Sequence, residues 1–234
     1  LLVLQMRWLR GIEYDLDKQF EKIAFLAVRY ELFDIAIDVL HAKQRFYVNF
    51  KGTKKVKEIS VRINGFEDCL KRVQRARRLW SEIGAKILQS NFPFEYKADI
   101  QNAIIALQED LKKIKSPTIE FFLIFFKVEL YQINNSYDQA QLILNNAISL
   151  LKNNPSIYTS ERMAEVLINL ANNEITLGDY KGAISTSDQA MSIVESKTSN
   201  YLLFKEIKFF ACYYFKDIEM AESLIKEIYY ETLK

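Results

Sequence analysis

The residues of this sequence that could carry out chemistry are few and lie apart from one another. The sole histidine, His41, has no cysteine or carboxylate near it at the spacing of a metal site. Cys69 and Cys212 are distant in the chain and belong to no motif, so two reduced thiols are expected. The sequence contains no glycine-rich phosphate loop, nucleophile elbow or H-E-x-x-H motif. We therefore expect no enzyme activity, and predict no catalytic residue, cofactor or metal.

Basic side chains offer a different chemistry, the binding of polyanions. The net charge is +2, but residues 41–90 hold 13 Lys and Arg against 4 Asp and Glu. Seven of these cations form a candidate basic patch: Lys54, Lys55, Lys57, Lys71, Arg72, Arg75 and Arg78. Such residues bind phosphates through charge and counterion release, so nucleic acid is one candidate partner. A solvated helix face, balanced by the acidic C-terminal half, is the alternative. No helix-turn-helix or RNA-recognition pattern accompanies the basic residues.

The composition indicates an all-α protein. The 234 residues include only 6 Gly and 3 Pro, too few for the turns of a β protein. Apolar residues recur at helical period, as in Phe20, Ile23, Ala24 and Ala27, which form one stripe along a helix.

Caps and breakers place the predicted helices along the chain. We predict helices at about 17–30, 34–48, 56–90 and 94–114, with a lysine-rich loop at 49–57. Three helix pairs follow: 117–133 with 137–152, 160–177 with 179–196, and 200–215 with 217–233. Ser116 is expected to cap a helix, Gly178 to end one in the left-handed conformation, and Asp179 to cap the next. Residues 1–115 form an irregular helical region in this scheme, and residues 116–234 a repeat region.

Residues 164–197 resemble one 34-residue tetratricopeptide repeat. The matching positions are Leu167, Leu170, Ala171, the turn Gly178-Asp179-Tyr180, Ala183 and Ala190. The small residues would let the paired helices approach closely. Glu174 departs from the family, which has an aromatic residue there, and Ser187 stands where Phe is usual.

Neighbouring segments repeat parts of this pattern. Ala140 and Ala147 match the second helix of a repeat, Ala221 does so more loosely, and the segment 32–36 has the same character. The resemblance implies an α-solenoid, a right-handed superhelix of helix hairpins, preceded by longer irregular helices. It also implies a concave groove lined by the first helix of each pair.

Five residues fall at the groove-facing positions of the family: Glu165, Ile168, Asn169, Asn172 and Thr176. A carboxamide both donates and accepts hydrogen bonds, so either asparagine could pair with the backbone of a bound peptide. The two asparagines could equally be ordinary surface residues.

The first functional hypothesis is a non-catalytic module that binds a peptide or protein segment. Nucleic-acid or polyanion binding through residues 51–78 is the alternative. A further variant follows from bacterial regulators that join such repeats to a DNA-binding head and sense peptides. The aromatic C-terminal helices, with Tyr229 and Tyr230, suggest a homodimer. Apolar runs are too short to span a membrane and no signal-peptide pattern is present, so a cytoplasmic location is expected.

Overall fold

A computed structural model describes Met6 and residues 15–50, 53–90, 92–196 and 198–232. Within these residues the regular structure is helical, with no strand, which confirms the all-α prediction. The helices are α1 Leu16–Arg29, α2 Phe33–Phe50, α3 Thr53–Gln89, α4 Phe94–Lys113, α5 Pro117–Ile133, α6 Tyr137–Asn153, α7 Ser160–Leu177, α8 Tyr180–Met191, α9 Ser199–Phe215 and α10 Ile218–Thr232.

The predicted loop at 49–57 is wrong at residues 49–50 and 53–57, whereas residues 51 and 52 lie outside the described part of the chain. Helix α2 continues to Phe50 and α3 begins at Thr53, so Lys54, Lys55 and Lys57 lie in the first turns of a helix. Lysine is a good helix former, and clustered charge alone does not end a helix. Helix α3 then runs for 37 residues, about 55 Å, through Gly65 and Gly84 without a break. Helix α8 is shorter than predicted, because it ends at Met191 instead of 196.

The chain divides into two compact units. Unit 1 comprises residues 1–82 and 107–120, and unit 2 comprises residues 83–106 and 121–234. Helices α3, α4 and α5 each contribute residues to both units.

Unit 1 has a core made by α1, α2 and the first part of α3. The stripe of α1 contributes Leu16, Phe20 and Ala24, which pack with Leu40 of α2 and Ile59 of α3. Charged groups rim this core: Glu21 of α1 accepts hydrogen bonds from Arg62, at 2.7 and 3.0 Å, and pairs with Lys43.

A buried carboxylate fixes the start of α5 within unit 1. Glu31 accepts hydrogen bonds from the Ser116 hydroxyl and, at 3.0 Å, from the backbone N–H of Thr118. Ser116 Oγ also accepts from the N–H of Ile119 at 3.2 Å, which confirms its predicted role as a helix cap. The first N–H groups of a helix have no partner within it, so these contacts stabilise its N-terminus.

Unit 2 contains a run of successive helices in which each packs on the next. Contacts join α6 to α7, α7 to α8, α8 to α9 and α9 to α10, and α7 also contacts α9. At the last hairpin, Cys212 of α9 packs with Ala221 and Leu224 of α10.

Four helix hairpins share one turn geometry. The first or second residue after the first helix has a positive φ in each: 53° at Glu31, 56° at Asn135, 79° at Gly178 and 67° at Lys216. In each turn this residue donates its N–H to the carbonyl three residues back, and the next residue donates to the carbonyl five back. This is the Schellman arrangement, which satisfies the last carbonyls of a helix. The left-handed conformation predicted at Gly178 is confirmed, as is the Asp179 cap, which accepts from the N–H of Gly182 at 3.0 Å.

The same register continues into the second helix of each hairpin. The fifth residue after the positive-φ residue is a buried alanine in all four cases: Ala36, Ala140, Ala183 and Ala221. Alanine at this point leaves room for the two helices to approach closely just beyond their turn. The combination of a Schellman turn and a buried alanine therefore occurs four times in the described residues, at Glu31 in unit 1 and at three positions in unit 2.

Candidate functional site

Helix α7 has a buried face and a solvent-accessible face. Thr159 caps its first turn by accepting the N–H of Arg162 at 3.1 Å, and Gly178 ends it. Its buried side chains are Met163, Ala164, Val166, Leu167, Leu170, Ala171, Asn173 and Glu174. These residues are packed because α6, α8 and α9 all contact the helix.

The five predicted groove residues share the accessible face of α7. Glu165, Ile168 and Asn169 are half-buried, whereas Asn172 and Thr176 are exposed. Their spacing of three and four residues places them on neighbouring turns of one side of the helix. The structure therefore brings them together as a continuous strip.

Hydrogen bonding distinguishes the two asparagines of this strip. Asn169 donates its Nδ2 to the carbonyl oxygen of Glu165 at 2.9 Å, so part of its donor capacity is used within the helix. Thr176 likewise donates its hydroxyl to the carbonyl of Asn172 at 3.0 Å. The exposed carboxamide of Asn172 is the group best placed to exchange hydrogen bonds with a ligand.

Burial changes the acidity of two carboxyl groups in α7. Desolvation raises the pKa of Glu165, and the nearby charge of Arg162 offsets part of this effect. Desolvation also raises the pKa of Glu174, where a hydrogen bond with Thr186 acts in the opposite direction and Asp179 adds to the rise. The low dielectric around both groups disfavours their charged forms.

A second strip on α9 occupies the same register as the strip on α7. Counted back from the positive-φ residue of each hairpin, Leu203, Phe210 and Tyr214 correspond to Glu165, Asn172 and Thr176. The three α9 residues are all exposed, Phe210 at 49% and Tyr214 at 52%. Helices α7 and α9 are in contact. The strip on α7 carries amide and hydroxyl groups, and the corresponding strip on α9 carries aromatic rings.

Sequence reasoning missed the α9 strip, although a signal for it was present. The 38-residue interval between Ala183 and Ala221 relates the two hairpins, and the same interval carries Asn172 onto Phe210. Sequence reasoning also missed Asn173, which is buried and donates its Nδ2 to the carbonyl of Tyr137 at 3.0 Å. This bond joins α7 to the start of α6, so Asn173 has a packing role distinct from that of Asn172.

The predicted basic patch divides into two groups. Arg72 Nη1 lies 2.6 Å from Oδ1 of Asp110 on α4, and Arg75 Nε lies 2.9 Å from its Oδ2. Asp110 is completely buried, so these two arginines are directed into unit 1. Arg72 also makes two 2.9 Å hydrogen bonds to Asp68.

The other five cations remain accessible: Lys54, Lys55, Lys57, Lys71 and Arg78 are exposed on α3. Arg72 and Arg75, by contrast, pair with Asp110, and their side chains are 16% and 40% exposed. The partner carboxylate lies on another helix, and helical spacing within α3 could not reveal it.

Clefts and groups of metal-ligating side chains are further features of the described part of the chain. A cleft of about 210 Å³ lies where Ser160, Thr198 and Val194 meet, and one of about 280 Å³ lies beside Lys86 and Tyr96; both are below the usual size of a ligand pocket. No group of three or more His, Cys, Asp or Glu side chains there is arranged to hold a metal ion. Among the described helices, none combines the length and apolar character needed to cross a bilayer.

No protein-family model matches the chain, and no curated protein matches it at a significant level. The two strips on α7 and α9 are therefore the features from which a function can be inferred.

Proposed function

We propose that the protein binds an extended peptide or protein segment on the face formed by α7 and α9. The observation that carries this proposal is the shared register of the two strips on helices in contact, with Asn172 on one and Phe210 on the other. The binding module needs no catalytic residue.

The wider architecture that we propose is an array of tetratricopeptide-like hairpins in a right-handed solenoid. Three features support it: the recurring Schellman turns, the buried alanine five residues after each turn, and the contact of α7 with α9 across α8. In such an array the first helices of successive hairpins lie side by side, and their free sides make a continuous binding surface.

The chemistry of the two strips suits a peptide. The Asn172 carboxamide can donate to and accept from a peptide backbone whatever the side chains are. Phe210 and Tyr214 offer exposed rings that an apolar side chain of the ligand can cover, and such aromatic residues commonly dominate binding energy. The α7 strip thus supplies backbone pairing and the α9 strip supplies apolar contact area.

Selection from a random peptide library displayed on phage, followed by affinity measurement, tests the proposal. We expect Asn172→Ala to weaken a selected peptide about fivefold, and Phe210→Ala to weaken it about tenfold or more. Matched controls are Asn146→Ala on α6 and Phe94→Ala on α4, which remove the same side chains from exposed positions outside the face. Selected peptides whose affinity is unchanged by both face variants would exclude this site.

A second candidate function is polyanion binding by the exposed cations of α3. Reversing Lys54, Lys57, Lys71 and Arg78 to Glu should abolish salt-sensitive binding of a random-sequence RNA or DNA duplex. Arg72 and Arg75 should be left unchanged, because their loss would unpair the buried Asp110 and confuse binding with folding. Peptide binding on the α7–α9 face should be unaffected by these reversals.

A further inference from the structure

The last hairpin exposes a position that is buried in the other three. Nine residues after the positive-φ residue lie Leu40, Leu144 and Ser187, all fully buried, and Ile225, which is 45% exposed. Leu40 belongs to a core shared with residues of the helix that follows, α3. For Leu144 and Ser187, too, the next helix packs on the helix that carries them. The face of α10 that contains Ile225 therefore corresponds to a face that elsewhere in this chain receives another helix.

Helix α10 is apolar on two sides. Ala221, Leu224 and Ile228 are buried, and Ala221 and Leu224 pack on α9. A second stripe, Ile218, Glu222, Ile225 and Tyr229, is exposed and is apolar except at Glu222. Its spacing of four, three and four residues is that of a coiled-coil seam. Exposed apolar side chains at this spacing are suited to receive one helix.

We propose that this exposed stripe of α10 pairs with the same stripe of a second copy of the chain, antiparallel, about a two-fold axis. An axis midway between Glu222 and Ile225 places Ile218 of one copy opposite Tyr229 of the other. It also places Ile225 beside the methylene stem of Glu222, whose carboxylate can reach water at the edge. A stripe that is complementary to itself in this way suits an isologous dimer.

Charge at the edge of the stripe favours this pairing over another partner. Glu219 and Lys226 are exposed and flank the stripe on one side, seven residues apart. In an antiparallel pair, residues at this flank oppose their own equivalents, so Glu219 of each copy faces Lys226 of the other. The two-fold axis produces the ion pair twice, whereas parallel pairing would turn this flank toward the opposite flank of the partner helix and would not form the ion pair.

The experiment measures the mass of the full chain by sedimentation equilibrium, from low to high micromolar concentration. We expect the mass to rise from one chain to two and to stop there. Ile225→Asp should leave the chain monomeric, because a charge would be buried in the seam. Leu142→Asp on α6, at a position 59% exposed, is the matched control and should dimerise like the parent chain.

A charge swap tests the orientation of the two helices. Glu219→Lys alone and Lys226→Glu alone should each weaken dimerisation about tenfold, because both ion pairs become like-charge contacts. The double variant E219K/K226E should restore the parental affinity. A chain that is monomeric throughout, a dimer that survives Ile225→Asp, growth beyond two chains, or a double variant as weak as the single ones would each overturn the proposal.

Discussion

Removal of the buried carboxylate of Asp110 is expected to destabilise unit 1 strongly. Asp110 is fully buried on α4 and accepts hydrogen bonds from two arginines of α3, at 2.6 Å from Arg72 and 2.9 Å from Arg75. The substitution Asp110→Asn keeps the size of the side chain, but removes the negative charge and replaces one of the two acceptor oxygens with an NH2 group, which cannot accept from a guanidinium.

The magnitude follows from the burial of each partner. Breaking a buried ion pair costs about 3–5 kcal/mol when the remaining charge has no other partner. Here Arg72 retains its hydrogen bonds to Asp68, and the Arg75 side chain is 40% exposed and can turn to water. The expected loss in the free energy of unfolding is therefore near the lower limit, about 3 kcal/mol.

Urea unfolding followed by far-ultraviolet circular dichroism measures this loss. Asp99→Asn is the matched control, since it makes the same substitution in the same helix, at an exposed carboxylate 2.5 Å from Lys86. An exposed pair of this kind contributes no more than about 0.5–1 kcal/mol. Equal effects of Asp110→Asn and Asp99→Asn would show that the buried carboxylate does not organise unit 1.

The turns and the α7–α8 hairpin give two further predictions about stability. Gly178→Ala should lower the free energy of unfolding by about 1 kcal/mol and Lys216→Gly should raise it by about 0.5–1 kcal/mol, because both positions have a positive φ that favours glycine. Thermal unfolding measures both changes, and two changes of the same sign would contradict this explanation. Glu174→Met should stabilise the chain by about 1–2 kcal/mol at neutral pH, because Oε2 of Glu174 is buried and accepts no hydrogen bond from any described residue. Burial raises the pKa of Glu174, so its folded form binds a proton more tightly than the unfolded form, and stability falls as pH rises from the ordinary pKa through the raised one. The advantage of Glu174→Met should therefore shrink on acidification toward pH 4, as urea unfolding at several pH values would reveal, and an advantage independent of pH would refute this origin.

Local signals predicted the helices well where a cap or a turn marked their ends. Ser116 caps α5, Gly178 ends α7 in the left-handed conformation, and Asp179 caps α8, each as expected. The prediction failed in the lysine-rich stretch. Its polar composition is typical of loops, but lysine is equally compatible with a helix. The turns at Glu31 and Lys216 could not be found from glycine, since non-glycine residues adopt the positive φ there.

The part of the candidate site on α7 could be predicted from the sequence, whereas its extension onto α9 could not be predicted from the period of a single helix. Periodicity places Asn169 and Asn172 opposite the buried Leu167 and Leu170, because both faces belong to the same helix. The aromatic strip on α9 required the register of two hairpins to be compared.

The sequence by itself determined the helical class, most helix ends and the accessible side of α7. All three depend on backbone propensity and on contacts between residues a few positions apart. Only the tertiary structure decided that Arg72 and Arg75 meet Asp110, more than thirty residues away, and that Ile225 is exposed where Leu144 is buried. Burial and ion pairing depend on which distant helix covers a side chain, and helical period carries no information about that neighbour.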